Sequence, residues 1–389
     1  MKGILGMVAA LALAGCSTAA MDAQLATRST PSEWLPTDAG PLFWSQQLRT
    51  DRFRSMEKHF AGLETGSAAK VRALPKGSPF STADIASFQP FLNTMNAAGM
   101  MVLQDGKVRY ESYRLGFEPD QRWTSFSVAK SFTSTLLGAA VNDGSLTLSD
   151  PVTKYLPGLV GTAYDGVTVE QVATMTSGVA WNEDYTDPQS DVAQMLALEP
   201  AQGELQSVAY AKTLKREAPA GEKWVYKTLE TNLLGDIVSA AVGKDLASCA
   251  KSRIVNPAGF AGSIFWMTDL SNQPIAGCCV SLRLSDYARM GQWVMEGGQP
   301  SVPEGWFARA GAPQVDLGCG YGYGYQWWTF PGGEFGAQGI FGQYITIMPQ
   351  ERVVVAVVSS NDTATGDALT KARRGLWNAV RAAAKRTIQ

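Results

Sequence analysis

The sequence predicts an α+β protein: a mostly antiparallel sheet flanked by helices, with an all-helical lobe inserted between its strands. Three observations carry this. A hairpin pattern opens the regular part of the chain, a long helical region fills its middle, and strand patterns followed by an amphipathic helix close it. Length and composition agree: 389 residues, 45% hydrophobic and 17% charged, suffice for one large two-lobed domain with a sizeable core.

The N-terminus reads as a targeting signal rather than as fold. Lys2 precedes an apolar run from Ile4 to Leu13, too short to span a bilayer as a mature helix, and small residues then lead to Cys16. Leu13-Ala14-Gly15-Cys16 resembles the lipobox of bacterial lipoproteins, which implies cleavage before Cys16 and lipid on its thiol. An ordinary cleaved signal is the alternative. Residues 1–15 are thus expected as signal peptide and 16–36, rich in Ala, Thr, Ser and Pro, as a tether. Ser17 after the cysteine points to outer-membrane sorting, placing the chain in a bacterial cell envelope, lipid-anchored and facing the periplasm. Residues 37–94 are expected as an N-terminal extension packed on the core, and 95–389 as the main domain.

Within that domain Gly99 to Tyr113 reads as a hairpin with Asp105-Gly106 at its turn. A helix follows from about Ser127 to Asn142: Val128, Phe132, Leu136 and Ala140 recur every four residues, and Asp143-Gly144 ends it. The segment from about 145 to 285 is expected to be the helical lobe. Gly324 to Phe330, Tyr344 to Met348 and Val353 to Ser359 read as strands, with turns at Pro331-Gly332-Gly333 and Pro349-Gln350. From Ala364 to about Arg386, Leu369, Ala372, Leu376, Val380 and Ala383 share one helix face.

Composition excludes several functions. A formal charge of −2 without a basic tract gives nucleic acid no footprint. A single histidine, His59, and no Cys-x-x-Cys pair leave no zinc set, and no metal or organic cofactor is implied. His59 also lacks a Gly-x-Ser-x-Gly elbow to serve, so it reads as structural. Besides Cys16 the cysteines are Cys249, Cys278, Cys279 and Cys319. In an exported protein either a bond from Cys278 or Cys279 to Cys319 or free buried thiols would fit; neighbouring Cys278 and Cys279 are not expected to bridge each other.

Catalytic chemistry without histidine needs another base. Ser-x-x-Lys puts both side chains on one helix face, one turn apart, where a neutral amine can take the serine proton. Neutrality requires burial or nearby positive dipoles, and a helix N-terminus supplies one. The pattern occurs four times: Ser55/Lys58, Ser67/Lys70, Ser127/Lys130 and Ser248/Lys251. Only Ser127/Lys130 follows a hairpin and opens a strongly apolar helix.

Around that pair the chain resembles the serine β-lactamase and penicillin-binding-protein superfamily, and within it most the 6-aminohexanoate-dimer hydrolase branch, beside class C β-lactamases and related esterases. The matching runs are "SFSVAKSFTSTLLGAAVNDGSLTLSDPVTKYLPGL", "VTVEQVATMTSGVAWNEDY", "WVYKTLETNLLG", "SLRLSDYARMGQW", "YGYGYQWW" and "GIFGQYITIMPQERVVVAVVSS". They follow the family order over about residues 95 to 385. The resemblance implies a β-lactamase/transpeptidase-like fold, Ser127 as acylated nucleophile, Lys130 as its base and Tyr226 as proton donor to the leaving group. Thr228 stands where the family has Asn or Ser. The backbone N–H groups of Ser127 and Ile340 would form the oxyanion hole.

One departure bears on substrate. β-Lactamases carry Lys-Thr-Gly on the strand lining the site; here it reads Ala337-Gln338-Gly339, and Ser-Asp-Asn is absent too. A carboxylate held by that lysine would lose a charge-assisted bond worth about 1.5–3 kcal/mol, roughly ten- to hundredfold in affinity. Arg283 or Arg352 could substitute from elsewhere. The expected substrate is therefore a small carboxylic ester or linear amide; a β-lactamase or D-Ala-D-Ala carboxypeptidase and a non-catalytic envelope binding protein are the alternatives. Substrate contacts are expected from Tyr185, Thr228, Trp327 (or its neighbour Trp328), Gln338 and Gly339. The acids Glu183, Asp184, Asp187 and Asp191 read as a solvated loop, and Asp286 as a cap or partner at a helix start.

Overall fold

The computed structural model describes residues 26–32 and 40–386. Cys16 and the expected signal peptide lie outside them. Among the described residues thirteen strands occur in chain order: β1 Thr27–Ser29, β2 Gly62–Glu64, β3 Ala97–Gln104, β4 Lys107–Tyr113, β5 Trp123–Thr124, β6 Phe265–Met267, β7 Val280–Leu282, β8 Val315–Gly318, β9 Tyr321–Tyr323, β10 Trp328–Phe330, β11 Glu334–Gly339, β12 Gln343–Met348 and β13 Val353–Ser359. They form two antiparallel sheets, in the orders β4-β3-β13-β12-β11-β10-β9-β8 and β1-β2-β6-β7-β5.

The inner strands β3, β12 and β13 of the large sheet are buried on both faces. Val353, Val355 and Val357 of β13 pack into one core beneath the helices Thr82–Thr94 and Asp367–Arg386. Val354, Ala356 and Val358 point the other way, into the core shared with the helix Leu284–Met295 and the helical lobe. Double burial explains why β13 reads as one apolar run instead of an alternating one. The hairpin β3–β4 turns at Asp105-Gly106, both with positive φ, as a two-residue turn requires. Its β3 pairs with C-terminal β13, from Val353 opposite Gln104 to Ser359 opposite Ala97. The first hairpin and the last strand of this sheet therefore meet beside its β4 edge, and the helical lobe lies between them in sequence.

Three boundaries differ from the sequence reading. Thr27–Ser29, expected in the tether, is an edge strand paired with β2. The end of the expected lobe holds β6 and β7, which belong to the small sheet. The single strand expected from Gly324 to Phe330 is broken: Gln326 takes φ 60°, and β9 and β10 pair on either side of that kink. Each of these strands has at most four residues, too few for a period-2 pattern to show. Among the described residues no helix is long and apolar enough to cross a membrane.

Candidate active site

The short strand β5 delivers the chain to Ser127. It pairs with β7, and the backbone then turns through a 3-10 turn, Phe126–Val128, into the helix Ala129–Asn142. The turn is tight enough to force Phe126 to φ 44°, a left-handed conformation that a bulky residue adopts only under strong constraint. Packing supplies the constraint. The Phe126 ring lies 4.9 Å from Phe53 and 5.2 Å from Phe341. Phe341, also left-handed at φ 61°, directly follows Ile340. The two residues expected to present oxyanion-hole amides are thus each neighboured by a strained phenylalanine, and those rings pack on each other.

Gly339 brings β11 against this turn. A Cβ there would fall on the Ser125 carbonyl oxygen and 3.2 Å from the Ser127 nitrogen. Gly339→Ala is therefore expected to push Ile340 and Ser127 apart and lower kcat by about 10²–10³, the effect of losing one oxyanion donor. Steady-state kinetics beside a melting curve would check it; full activity in the variant would show that the close approach is dispensable.

Lys130 is buried at 1% exposure. Its Nζ lies 3.1 Å from Ser127 Oγ, 3.0 Å from Thr228 Oγ1 and 2.7 Å from the Gly277 carbonyl oxygen. Burial lowers its pKa to about 8, against the opposing pull of Glu183. A neutral amine can donate to Gly277 and Thr228 and keep its lone pair for the serine proton. The other Ser-x-x-Lys pairs lack this environment: Lys58 and Lys70 are exposed, and the Lys251 ammonium is bonded to the Ser67 carbonyl.

The Tyr226 ring lies 5.1 Å from Lys130 Nζ, and its phenol is hydrogen-bonded with Ser127. Burial, reinforced by Glu183, raises its pKa well above the usual phenol value, so the hydroxyl is a proton donor at neutral pH. Trp328 stacks on Tyr226 at 5.5 Å and lines the cavity. Trp327 does not: it is fully buried, between Phe307 and Phe335. The kink at Gln326 sets which of the two neighbours faces the cleft, and strand alternation alone could not choose.

Thr228 opens the helix Thr228–Val242 and occupies the position the motif assigns it. Its hydroxyl donates to Glu183, as does its backbone N–H at 2.9 Å. Tyr185 donates to the same carboxylate at 2.9 Å, and so does the Trp181 indole. Glu183 is thus no solvated loop acid. It anchors the loop, sits at a helix N-terminus where a negative charge is favoured, and is linked to Lys130 through Thr228. Its neighbours give the sequence its misleading look: Asp184 is exposed and turns its own loop, and Asp191 accepts from the Asn182 amide and the Tyr210 hydroxyl. Because Glu183 favours the charged form of Lys130, Glu183→Gln is expected to move the acid limb of the pH–rate profile to lower pH. An unshifted limb would break the link.

Beneath Tyr226, Lys227 and Glu230 form an ion pair at 3.3 Å with both side chains fully buried. Glu230 also accepts from Ser177 and lies 3.5 Å from the Tyr164 hydroxyl. This network fixes the segment that carries Tyr226. Asp286 accepts from the Ala261 and Gly262 amides and from Arg289 within its own helix, away from the cavity. His59 does not line it either. Cys278 and Cys279 are bonded to each other, contrary to the expectation of a bond to Cys319 or free thiols. Cys279 takes φ 72°, which brings the adjacent side chains together; Cys319 is exposed and Cys249 buried, both unbridged. The pair follows Gly277, whose carbonyl receives the Lys130 amine.

The cavity itself, about 310 Å³, is bordered by Ser127, Tyr185, Tyr226, Trp328, Gln338 and Ile340. No group of three or more acidic, histidine or cysteine residues that could hold a metal occurs among the described residues. Arg283 pairs with Asp120 at 2.9 Å and Arg352 with Asp105, so neither reaches the cavity.

An antiparallel sheet, a helical lobe and a serine-bearing helix start between them define a β-lactamase-like α+β architecture. The chain belongs to the Beta-lactamase family, whose model matches residues 86–376. The 6-aminohexanoate-dimer hydrolase of Paenarthrobacter ureafaciens is 28% identical over 285 residues, 67% of this chain and 71% of that one. A Bacillus anthracis structure provisionally named a 6-aminohexanoate-dimer hydrolase superposes with TM-score 0.75 at 20% identity, over 86% of this chain and 93% of that one. A class C β-lactamase in complex with cefoxitin gives TM-score 0.59 at 18% identity, over 76% and 99%.

Proposed function

We propose that the protein is a serine hydrolase that forms an acyl-enzyme on Ser127 and cleaves small carboxylic esters or linear amides. The observation that carries this reading is Lys130, buried among Ser127 Oγ, Thr228 Oγ1 and the Gly277 carbonyl with its pKa lowered. The name of the Paenarthrobacter relative supports the amide class.

In acylation Lys130 Nζ takes the Ser127 proton while Oγ attacks the carbonyl carbon. The Ser127 and Ile340 amides hold the oxyanion. As the C–O or C–N bond breaks, Tyr226 gives its proton to the departing oxygen or nitrogen and is reprotonated from Lys130. A water then attacks the acyl carbon and gives its proton to the same groups; the bond to Ser127 Oγ breaks, Oγ takes that proton back, and the carboxylic acid leaves. A Ser127-dependent assay with p-nitrophenyl esters and linear amides tests the reading. Nitrocefin belongs in the same panel, because Beta-lactamase family membership favours a β-lactam substrate as the second reading. Ser127-dependent hydrolysis of nitrocefin well above that of esters and amides would select it.

For the N-terminal segment we propose lipid on Cys16 and attachment to the envelope membrane, supported by Leu13-Ala14-Gly15-Cys16. Cys16→Ser is expected to release the protein into the soluble fraction on cell fractionation; a variant that still pellets with membranes would rule out this anchor.

A further inference from the structure

Resting on the hydrolase reading above, we infer that Arg49 and Phe53 are positioning residues for the oxyanion hole. They stand on a segment ahead of the family-matched residues 86–376 and hold the Ser127 and Ile340 amides at their working separation. The helix Gln46–Arg52, with Phe53 directly after it, reaches both halves of the hole. Phe53 is fully buried, and its ring lies 4.9 Å from Phe126 and 5.8 Å from Phe341. Its carbonyl accepts from the Thr124 amide at 2.9 Å, on the strand that leads to Ser127. Arg49 is 5% exposed, and its Cζ sits over the Phe341 ring, 4.3 Å from the centroid. Its Nη2 donates to the Asp362 carbonyl oxygen at 2.8 Å. That carbonyl belongs to the loop that holds the Phe341 backbone. The Phe341 N–H donates to the Ala364 carbonyl at 2.9 Å, and the Asn361 N–H donates to the Phe341 carbonyl at 3.0 Å.

Phe126 and Phe341 each take positive φ beside one amide of the hole. A bulky residue stays in that conformation only where its surroundings hold it there. The two rings touch each other, but a touching pair can still shift together. A third ring and a cation from outside fix where the pair sits. The buried guanidinium is attracted to the ring face, and its planar fork ties that face to the loop through a directional hydrogen bond. The Asp362 carboxylate, 3.8 Å from Arg49 and largely exposed, adds little. Loss of the Arg49 or Phe53 contact would let Phe341 relax and turn the Ile340 amide away, with Ser127 and Lys130 left in place. The segment thus acts on the chemistry although neither side chain lines the cavity.

The test compares p-nitrophenyl butyrate with its thiono analogue, in which sulfur replaces the carbonyl oxygen. Sulfur is larger and a poorer hydrogen-bond acceptor, so a well-set oxyanion hole favours the oxygen ester. The readout is the ratio of kcat/KM, oxygen over sulfur, within each protein, beside its melting curve. Wild type is expected to favour the oxygen ester by roughly 10²–10³, the value of one oxyanion donor. Arg49→Met and Phe53→Leu should each lower that ratio by about tenfold or more, through kcat with KM nearly unchanged. Arg49→Lys, which keeps the cation, should restore part of it. A variant that melts earlier but keeps the wild-type ratio would show a purely structural role and overturn the proposal. If one of the two variants does not fold, the other decides. A wild-type ratio near one would also overturn it, while Ser127-dependent turnover of the oxygen ester kept the hydrolase reading standing. Absence of that turnover would overturn the hydrolase reading, and this proposal with it.

Discussion

Ser127→Ala is expected to abolish turnover, by at least about a thousandfold, and to leave the melting temperature near that of the wild type. The methyl group keeps the volume of the turn, and the Phe53–Phe126–Phe341 packing that fixes it does not involve the hydroxyl. What is lost is the hydroxyl that the proposed mechanism acylates. The check is kcat/KM on a p-nitrophenyl ester for both proteins beside their melting curves. Retained activity in a folded variant would place the nucleophile elsewhere.

Lys130→Met is the second large effect, a loss of about 10²–10⁴ in kcat, the usual contribution of a positioned base. Its sharper form is the pH profile of the wild type. The base works only when neutral, and burial lowers its pKa to about 8. Below that value each unit of pH removes about nine-tenths of the competent form, so kcat/KM should rise tenfold per unit and level off above about pH 8. Lys130→Arg should not restore activity at any pH in the range, because a guanidinium does not deprotonate there. A profile flat from pH 6 to 9, or an active arginine variant, would remove Lys130 from the role of base.

Much of the fold and part of the site were legible in the sequence because they rest on local patterns. The hairpin is marked by its Asp105-Gly106 turn, and the apolar helix behind Ser127 and the amphipathic face from Leu369 to Ala383 each repeat a period over several turns. The pairing of Ser127 with Lys130 follows from helix spacing; the contact of Lys130 with Thr228, which stands where the family has Asn or Ser, is seen only in the structure. The remainder depends on contacts between distant segments. Glu183 looks like any loop acid until the helix start at Thr228 is laid against it. Arg49 lies far ahead of Phe341 in the chain, and nothing local shows that its guanidinium covers that ring. Trp327 and Trp328 exchange roles through one positive-φ residue, Gln326, which a strand period does not reveal. The bond between Cys278 and Cys279 depends likewise on the left-handed backbone at Cys279.

The central claim is that a serine is activated without histidine. Its most direct test is intact mass after reaction with a fluorophosphonate, for wild type beside Ser127→Ala, with peptide mapping of the adduct. The account predicts one adduct, on Ser127, absent from the variant. A folded wild-type protein that takes up no label, or an adduct that maps to another residue, would contradict it.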